Sequence, residues 1–194
     1  MEGIGGMSKF NIGDKVDLTG RFVKVRTFED RHMTPQYFSW INDPSKNTFL
    51  ETRFEVQNNS TCMAYRMELW TRKGCDLLAI ENLDTQEHLG NISITEMNFQ
   101  TGVSNFGILV GENESNVGKI AAAEGCVLVM DYLFSFNEIQ FIRNNVHERN
   151  IKSIRLIEGL GFSRIGEDVS ENEGSIIKFE IRTSDWKSRK SLIR

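Results

Sequence analysis

The run SNFGILVGENESNVGKIAAAEG passes from an apolar strand through a turn into a helix whose first turn holds one glycine, Gly118, and three alanines. Helical spacing from Gly118 to about Phe136 places Ile120, Ala123, Val127, Met130 and Phe134 on one face. EIQFIRNNV then reads as a strand. NIKSIRLIEGLGF reads as a helix that Asn150 can cap and Gly161 can end in a left-handed conformation, and GSIIKFEIR as a final strand. This order, β-α-β-α-β, fixes the second half. Its small first turn has two readings: it lets the helix lie close on a sheet, or it offers N–H groups to an anion that small residues allow to approach. The common anion motifs are absent, because Gly118-Lys119 is followed by Ile120 rather than Ser or Thr and no G-x-G-x-x-G opens the helix.

The first half is less regular. RFVKVR alternates as a half-buried strand, TCMAYRMELWTR reads as a helix with Met63, Met67 and Trp70 at helical spacing, and CDLLAIE and EHLGNISITEM read as successive strands of a meander. Between the first strand and that helix, Pro35 and Asp43-Pro44 break the chain into short pieces that concentrate Tyr37, Phe38, Trp40, Phe49, Arg53 and Phe54. At 194 residues with 39% hydrophobic and 26% charged content, one soluble domain is expected, with residues 1–20 as an N-terminal extension and entry segment, 21–185 as the domain and 186–194 as a solvated basic C-terminal tail. A net charge of −4 argues against a nucleic-acid partner, and no apolar run approaches the roughly 20 residues of a membrane span. Three cysteines without Cys-x-x-Cys spacing indicate neither a disulfide framework nor a zinc site and fit a reducing cytoplasm.

Taken in order, GILVG, the turn with Gly118, the helix containing Glu124, the strand ending at Val146, and then Asn150, Ser153, Glu158 and Gly161-Phe162 resemble the acetyl-coenzyme A binding half of the GNAT N-acetyltransferase superfamily. FSWINDP and HLGNISI add similarity to members that modify amino-sugar nucleotides or protein N-termini such as those of ribosomal proteins. The resemblance implies an α/β (α+β) single-domain GNAT fold, a mixed and mostly antiparallel central sheet with two splayed parallel strands, flanked by helices. It implies acetyl-CoA as cosubstrate and no metal. The pantetheine arm would pair with the strand at Ile108, Leu109 and Val110, and the pyrophosphate would sit on the turn at Val117, Gly118, Lys119, Ile120, Ala121 and Ala122, with Asn150 and Ser153 touching the arm or adenosine.

Acetyl transfer needs an uncharged amine, a donor for the oxyanion and a route for the proton. The N–H of Leu109 or Val110 is the expected donor; Glu96 and His147 are the candidate bases, with His88 third. Tyr37, Phe38, Trp40 and Arg53 are expected to line the acceptor pocket, the rings by stacking and Arg53 by pairing with a phosphate. Three positions depart from the family pattern: Ser115 stands where the turn has Gln or Arg, Ile120 where it has a small residue, and Ile157 where many members carry a proton-donating tyrosine. The leading expectation is an N-acetyltransferase for a small amine, most plausibly on a nucleotide-linked sugar. The alternatives are a protein N-terminal acetyltransferase and a non-catalytic CoA-binding scaffold. A homodimer is left open.

Overall fold

The computed structural model describes residues 15–71, 75–111, 116–170 and 174–193. Eight strands make one sheet, in spatial order β1 (Asp17–Thr19), β2 (Val23–Thr27), β3 (Asp76–Asn82), β4 (His88–Asn98), β5 (Val103–Val110), β6 (Phe141–His147), β8 (Gly174–Arg182) and β7 (Ser163–Ser170). Every neighbouring pair is antiparallel except β5 and β6. Among the described residues six α-helices accompany the sheet: α1 (Pro35–Ile41), α2 (Pro44–Asn47), α3 (Asn59–Thr71), α4 (Asn116–Leu133), α5 (Ile151–Leu160) and α6 (Thr183–Ile193). This is the mixed, mostly antiparallel sheet that the sequence led us to expect.

β3 explains the layering. All seven of its residues are buried, as a strand covered on both faces requires. Leu78 and Ile80 join a core with Ala121, Val129 and Leu133 of α4 and Ile154 and Ile157 of α5, whereas Leu77 and Ala79 point the other way, into a core with Tyr37, Trp40, Cys62 and Leu69 of α1 and α3. Gly125 lets α4 lie close on this sheet, since a Cβ there would meet Ile80 Cδ1 at 3.0 Å. Close packing thus accounts for Ala121 and Gly125, while Ala123 on the surface takes no part in it. Glu124, on the same helix, accepts N–H bonds from Arg21 (2.5 Å), Phe22 (3.0 Å) and Val23 (3.0 Å) and so ties α4 to the β1–β2 turn.

Four expectations change. α4 begins at Asn116, two residues before Gly118, and its buried stripe runs through Ala121, Gly125, Cys126, Val129, Met130 and Leu133, leaving Ile120 36% exposed and Ala123 on the surface. Alanines carry too little apolar contrast to fix a helix's rotation. In α3 the buried side chains are Cys62 and Leu69, while Met63 and Met67 face solvent. β1 already pairs with β2, so the sheet starts inside the expected N-terminal extension. The tail is not free either: Trp186 is buried in the main core with its Nε1 donating to Asp131 Oδ1 at 2.9 Å, and Arg189 donates to the Gly159 carbonyl. Where local signals are strong they hold, as with Asn150 accepting the Ser153 N–H at 3.2 Å and Gly161 closing α5 at φ +99°.

Candidate active site

β5 and β6 stay together for three residue pairs, Val103↔Phe141, Ser104↔Ile142 and Asn105↔Arg143, and then part. Which main-chain groups face the resulting gap follows from the antiparallel ladder with β4. Gly111 donates its N–H to Leu89, so Leu109 and Gly107, two and four residues back, also spend their N–H and C=O on β4. Phe106, Ile108 and Val110 alternate with them and turn theirs toward the gap. On the far wall, Glu148 donates to Ser175 of the β8 side, which by the same alternation leaves Asn145 and His147 facing β5. The gap is thus edged by two strands whose ladder stops after Asn105 and Arg143.

Side chains divide by face. Phe106, Ile108 and Val110 pack toward α4, so Gly107, Leu109 and Gly111 open toward α1 and α2. Gly111 is covered by Trp40, whose ring stands where a Cβ would come within 2.3 Å of it. Across the gap, the ring of Phe49, from the segment after α2, lies 5.1 Å from that of His147. Extending the Asn105↔Arg143 register puts His147 level with Leu109. Beyond Phe49, the Arg53 guanidinium sits 4.1 Å over the ring of Phe54, which is 79% exposed.

A buried polar cluster supports Trp40 from behind. His88, at the start of β4, packs against Trp40, Tyr37 and His32 with ring centroids 5.6, 5.6 and 5.1 Å apart. Its Nε2 lies 2.7 Å from Asn91 Oδ1 and 3.0 Å from the Gly90 carbonyl, which makes that nitrogen the N–H donor. Burial pulls His88 down to about 4, so it is neutral at pH 7. His32 accepts the Glu29 N–H on Nδ1 (2.8 Å) and donates from Nε2 to Glu81 (2.7 Å), and burial lowers it as well. Glu81, buried beneath, also pairs with Arg31.

Residues 23–163 match the family model of the acetyltransferase (GNAT) domain. The chain belongs to the GNAT acetyltransferases. Solved structures share its fold. A GCN5-related N-acetyltransferase from Brucella melitensis superposes with TM-score 0.73 at 19% identity, covering 93% of this chain and 85% of that one. A spermidine N-acetyltransferase from Vibrio cholerae in complex with CoA and spermine gives 0.73 at 17%, over 87% and 99%. A nucleotide-linked sugar GNAT in its apo form gives 0.73 at 16%, over 93% and 97%. No curated protein matches the chain.

As a GNAT acetyltransferase it requires a place for acetyl-CoA, which the family uses and which supplies the acetyl group as a thioester. The residues fit that group. Ile108 and Val110 present main-chain N–H and C=O on an edge that β6 has left, suited to the amides of an extended arm, and the first turn of α4 follows the same strand. The expected set shifts, however. Leu109 cannot give an N–H to the gap because that group belongs to the β4 ladder; Ile108 joins Val110 as a donor instead. With α4 starting at Asn116, the main-chain N–H groups of its first three residues, Asn116, Val117 and Gly118, precede the i→i−4 ladder. Val117 and Gly118 therefore stand where a helix start can meet a diphosphate, and the N–H groups of Lys119, Ile120, Ala121 and Ala122 are inside the helix. Ser115 lies outside the described residues, as does the side chain of Lys119.

The other predicted residues scatter around the gap. Glu96 is exposed opposite Asn105, the last paired residue of β5, and His147 stands at the open end of β6, about four residues or ~13 Å further along. The structure does not bring these two together. His147 accepts the Arg149 N–H on Nδ1 at 3.1 Å, which leaves Nε2 as the protonated nitrogen of the neutral ring. Asn150 serves as the α5 cap, with Ser153 half-buried beside it, and Ile157 lies in the core beneath α5. Tyr37 (2% exposed) and Trp40 (5%) have their rings covered and offer no open face for stacking; burial also pushes the Tyr37 phenol well above its ordinary range. Phe38 is half-buried against the same core. Within this segment the exposed rings are Phe49 and Phe54, whose proximity to His147 and Arg53 respectively no local pattern announces. No group of His, Cys, Asp and Glu suited to a metal ion, and no helix long and apolar enough to cross a membrane, occurs among the described residues.

Proposed function

We propose that this GNAT acetyltransferase moves the acetyl group of acetyl-CoA to the amine of a small, anionic, ring-containing acceptor, a nucleotide-linked amino sugar. The observation that carries this reading is the aromatic segment that reaches the gap through Phe49, whose ring lies against His147, and that continues into the Arg53 guanidinium stacked on the exposed ring of Phe54. Aromatic faces suit a base or sugar ring, and a planar guanidinium suits a phosphate.

Proton handling supports the same class. His147 is level with Leu109, but its Nδ1 lone pair is already engaged, and Glu96 lies ~13 Å deeper. His88 is held neutral, with Nδ1 buried, behind Trp40. Ile157 cannot donate a proton. None of these side chains holds an open proton acceptor level with Leu109. An amine with a lowered pKa arrives largely uncharged near neutral pH and needs only water to take its proton, as amino sugars do relative to alkyl amines. The roles assigned are then main-chain ones: the N–H of Ile108 or Val110 polarises the thioester carbonyl and the first turn of α4 holds the diphosphate. Release of free thiol from acetyl-CoA would be followed against three panels: nucleotide-linked amino sugars, polyamines, and peptides with free N-termini. Turnover with the first panel is expected, weakened at least tenfold in KM by Arg53→Ala. Turnover confined to polyamines or peptides would overturn the assignment of acceptor.

A further inference from the structure

The end of the β5–β6 ladder is not left to strand twist. At the position where Phe106 would pair with the next residue of β6, the side chain of Asn144 enters between the strands, and it is 4% exposed. Its carboxamide is surrounded by three oxygens: the carbonyl of Phe106 at 2.7 Å, the carbonyl of its own neighbour Arg143 at 2.8 Å and Asn105 Oδ1 at 2.9 Å. Three acceptors around one group fix its orientation, with the NH2 toward them. In a continuing parallel ladder the Phe106 carbonyl would take the N–H of Asn145, and the Arg143 carbonyl would take the N–H of Phe106. Asn144 satisfies both carbonyls with one side chain. It answers both carbonyls that the next rung of the ladder would have used, and its carboxamide stands 3.3 Å from the Phe106 nitrogen as well.

We infer that Asn144 is a positioning residue that ends the β5–β6 ladder and thereby sets how deeply the thioester end of acetyl-CoA can enter. Resting on the acetyl-CoA reading of the gap, this makes Ile108 the first main-chain N–H open from the closed end, because the Asn144 carboxamide stands against both the carbonyl of Phe106, at 2.7 Å, and its nitrogen, at 3.3 Å. The sequence hides the role, since an asparagine inside a strand pattern signals only a weak strand former. Its meaning comes from the carbonyls that surround it.

Replacing Asn144 with valine keeps strand propensity and removes the donor. The two carbonyls are then best satisfied by zipping the ladder one step further. In the ligand-free protein, native-state amide exchange at Asn145 is expected to slow at least tenfold in Asn144→Val relative to wild type. Calorimetric titration is expected to show acetyl-CoA affinity falling at least tenfold. Asn144→Ser, which retains one donor, should fall between the two and serves in place of valine if that variant does not fold. Unchanged exchange at Asn145 overturns the inference whatever happens to affinity, because Asn144 would then be an ordinary contact. Slowed exchange with unchanged affinity overturns it too, by separating the end of the ladder from coenzyme depth. A wild type that binds no acetyl-CoA removes the coenzyme reading itself, while the exchange comparison still decides whether Asn144 ends the ladder.

Discussion

Acidification charges His88 in the unfolded chain before it can do so in the folded one. Its ordinary value of 6.5 falls to about 4 in the structure, chiefly through burial against Trp40, Tyr37 and His32, with the bond to Asn91 opposing the shift. A lowered folded value means that the unfolded state binds the extra proton first. The stability from keeping His88 neutral is therefore complete above pH 6.5 and is lost as the pH falls toward 4. The whole step is worth about 3 kcal/mol at 1.36 kcal/mol per unit, and about 2 kcal/mol of it is gone by about pH 5. For a chain of this size that corresponds to a fall in Tm of roughly 4–8 °C. The assay is a set of thermal melts between about pH 7.5 and about pH 5 on wild type and His88→Gln, in which every other titrating group, His32 included, is common to both. Wild type should lose about 2 kcal/mol more than the variant over that interval. Equal losses would mean that the His88 ring reaches water or a compensating charge in the folded state, and the reasoning about the cluster would fail.

Removing the Glu124 carboxylate by Glu124→Ala withdraws the acceptor from three main-chain N–H groups at the β1–β2 turn and should cost about 1–3 kcal/mol, with amide exchange accelerating first at Arg21, Phe22 and Val23. Gly111→Ala places a Cβ 2.3 Å from the Trp40 ring; overpacking of this kind costs about 1–3 kcal/mol and should perturb the near-ultraviolet circular dichroism as Trp40 is displaced, together with weaker acetyl-CoA binding in a titration. Trp186→Ala empties a core position and withdraws the indole N–H from Asp131 Oδ1, so a urea denaturation should show a loss of about 3–5 kcal/mol despite the location in a charged tail.

Much of the architecture was readable because its signals are local. The alternation in RFVKVR, the Asn150 cap and the Gly161 stop each depend on residues within one turn or one strand, and each stands where expected. The order β-α-β-α-β located the gap as well. What could not be read depends on partners far along the chain. Whether Leu109 or Ile108 offers its N–H is decided by β4, through the Gly111–Leu89 bond, and no period within FGILV contains that information. Ring exposure in the aromatic segment was equally out of reach: α1 must cover the second core, which buries Tyr37 and Trp40 and leaves Phe49 and Phe54 outward. The buried Trp186 was masked by the charged residues around it, which solvate one side of α6 while the indole docks on the other.

The three-pair contact between β5 and β6 makes this sheet two panels sharing a short seam, one an antiparallel meander from β1 to β5 and the other the β6–β8–β7 trio. Beyond the seam they are held together by the helices that cross it. A molecule lying in the gap is bonded to both panels at once and works as a clasp. By mass action, a clasp present at 100 times its Kd adds about 2.7 kcal/mol to the folded state, spent where the sheet is thinnest in hydrogen bonds. Opening along the seam is then the first route to proteolysis when the cosubstrate is scarce. A cosubstrate bound across the seam would thus act on the sheet's integrity as well as on the reaction.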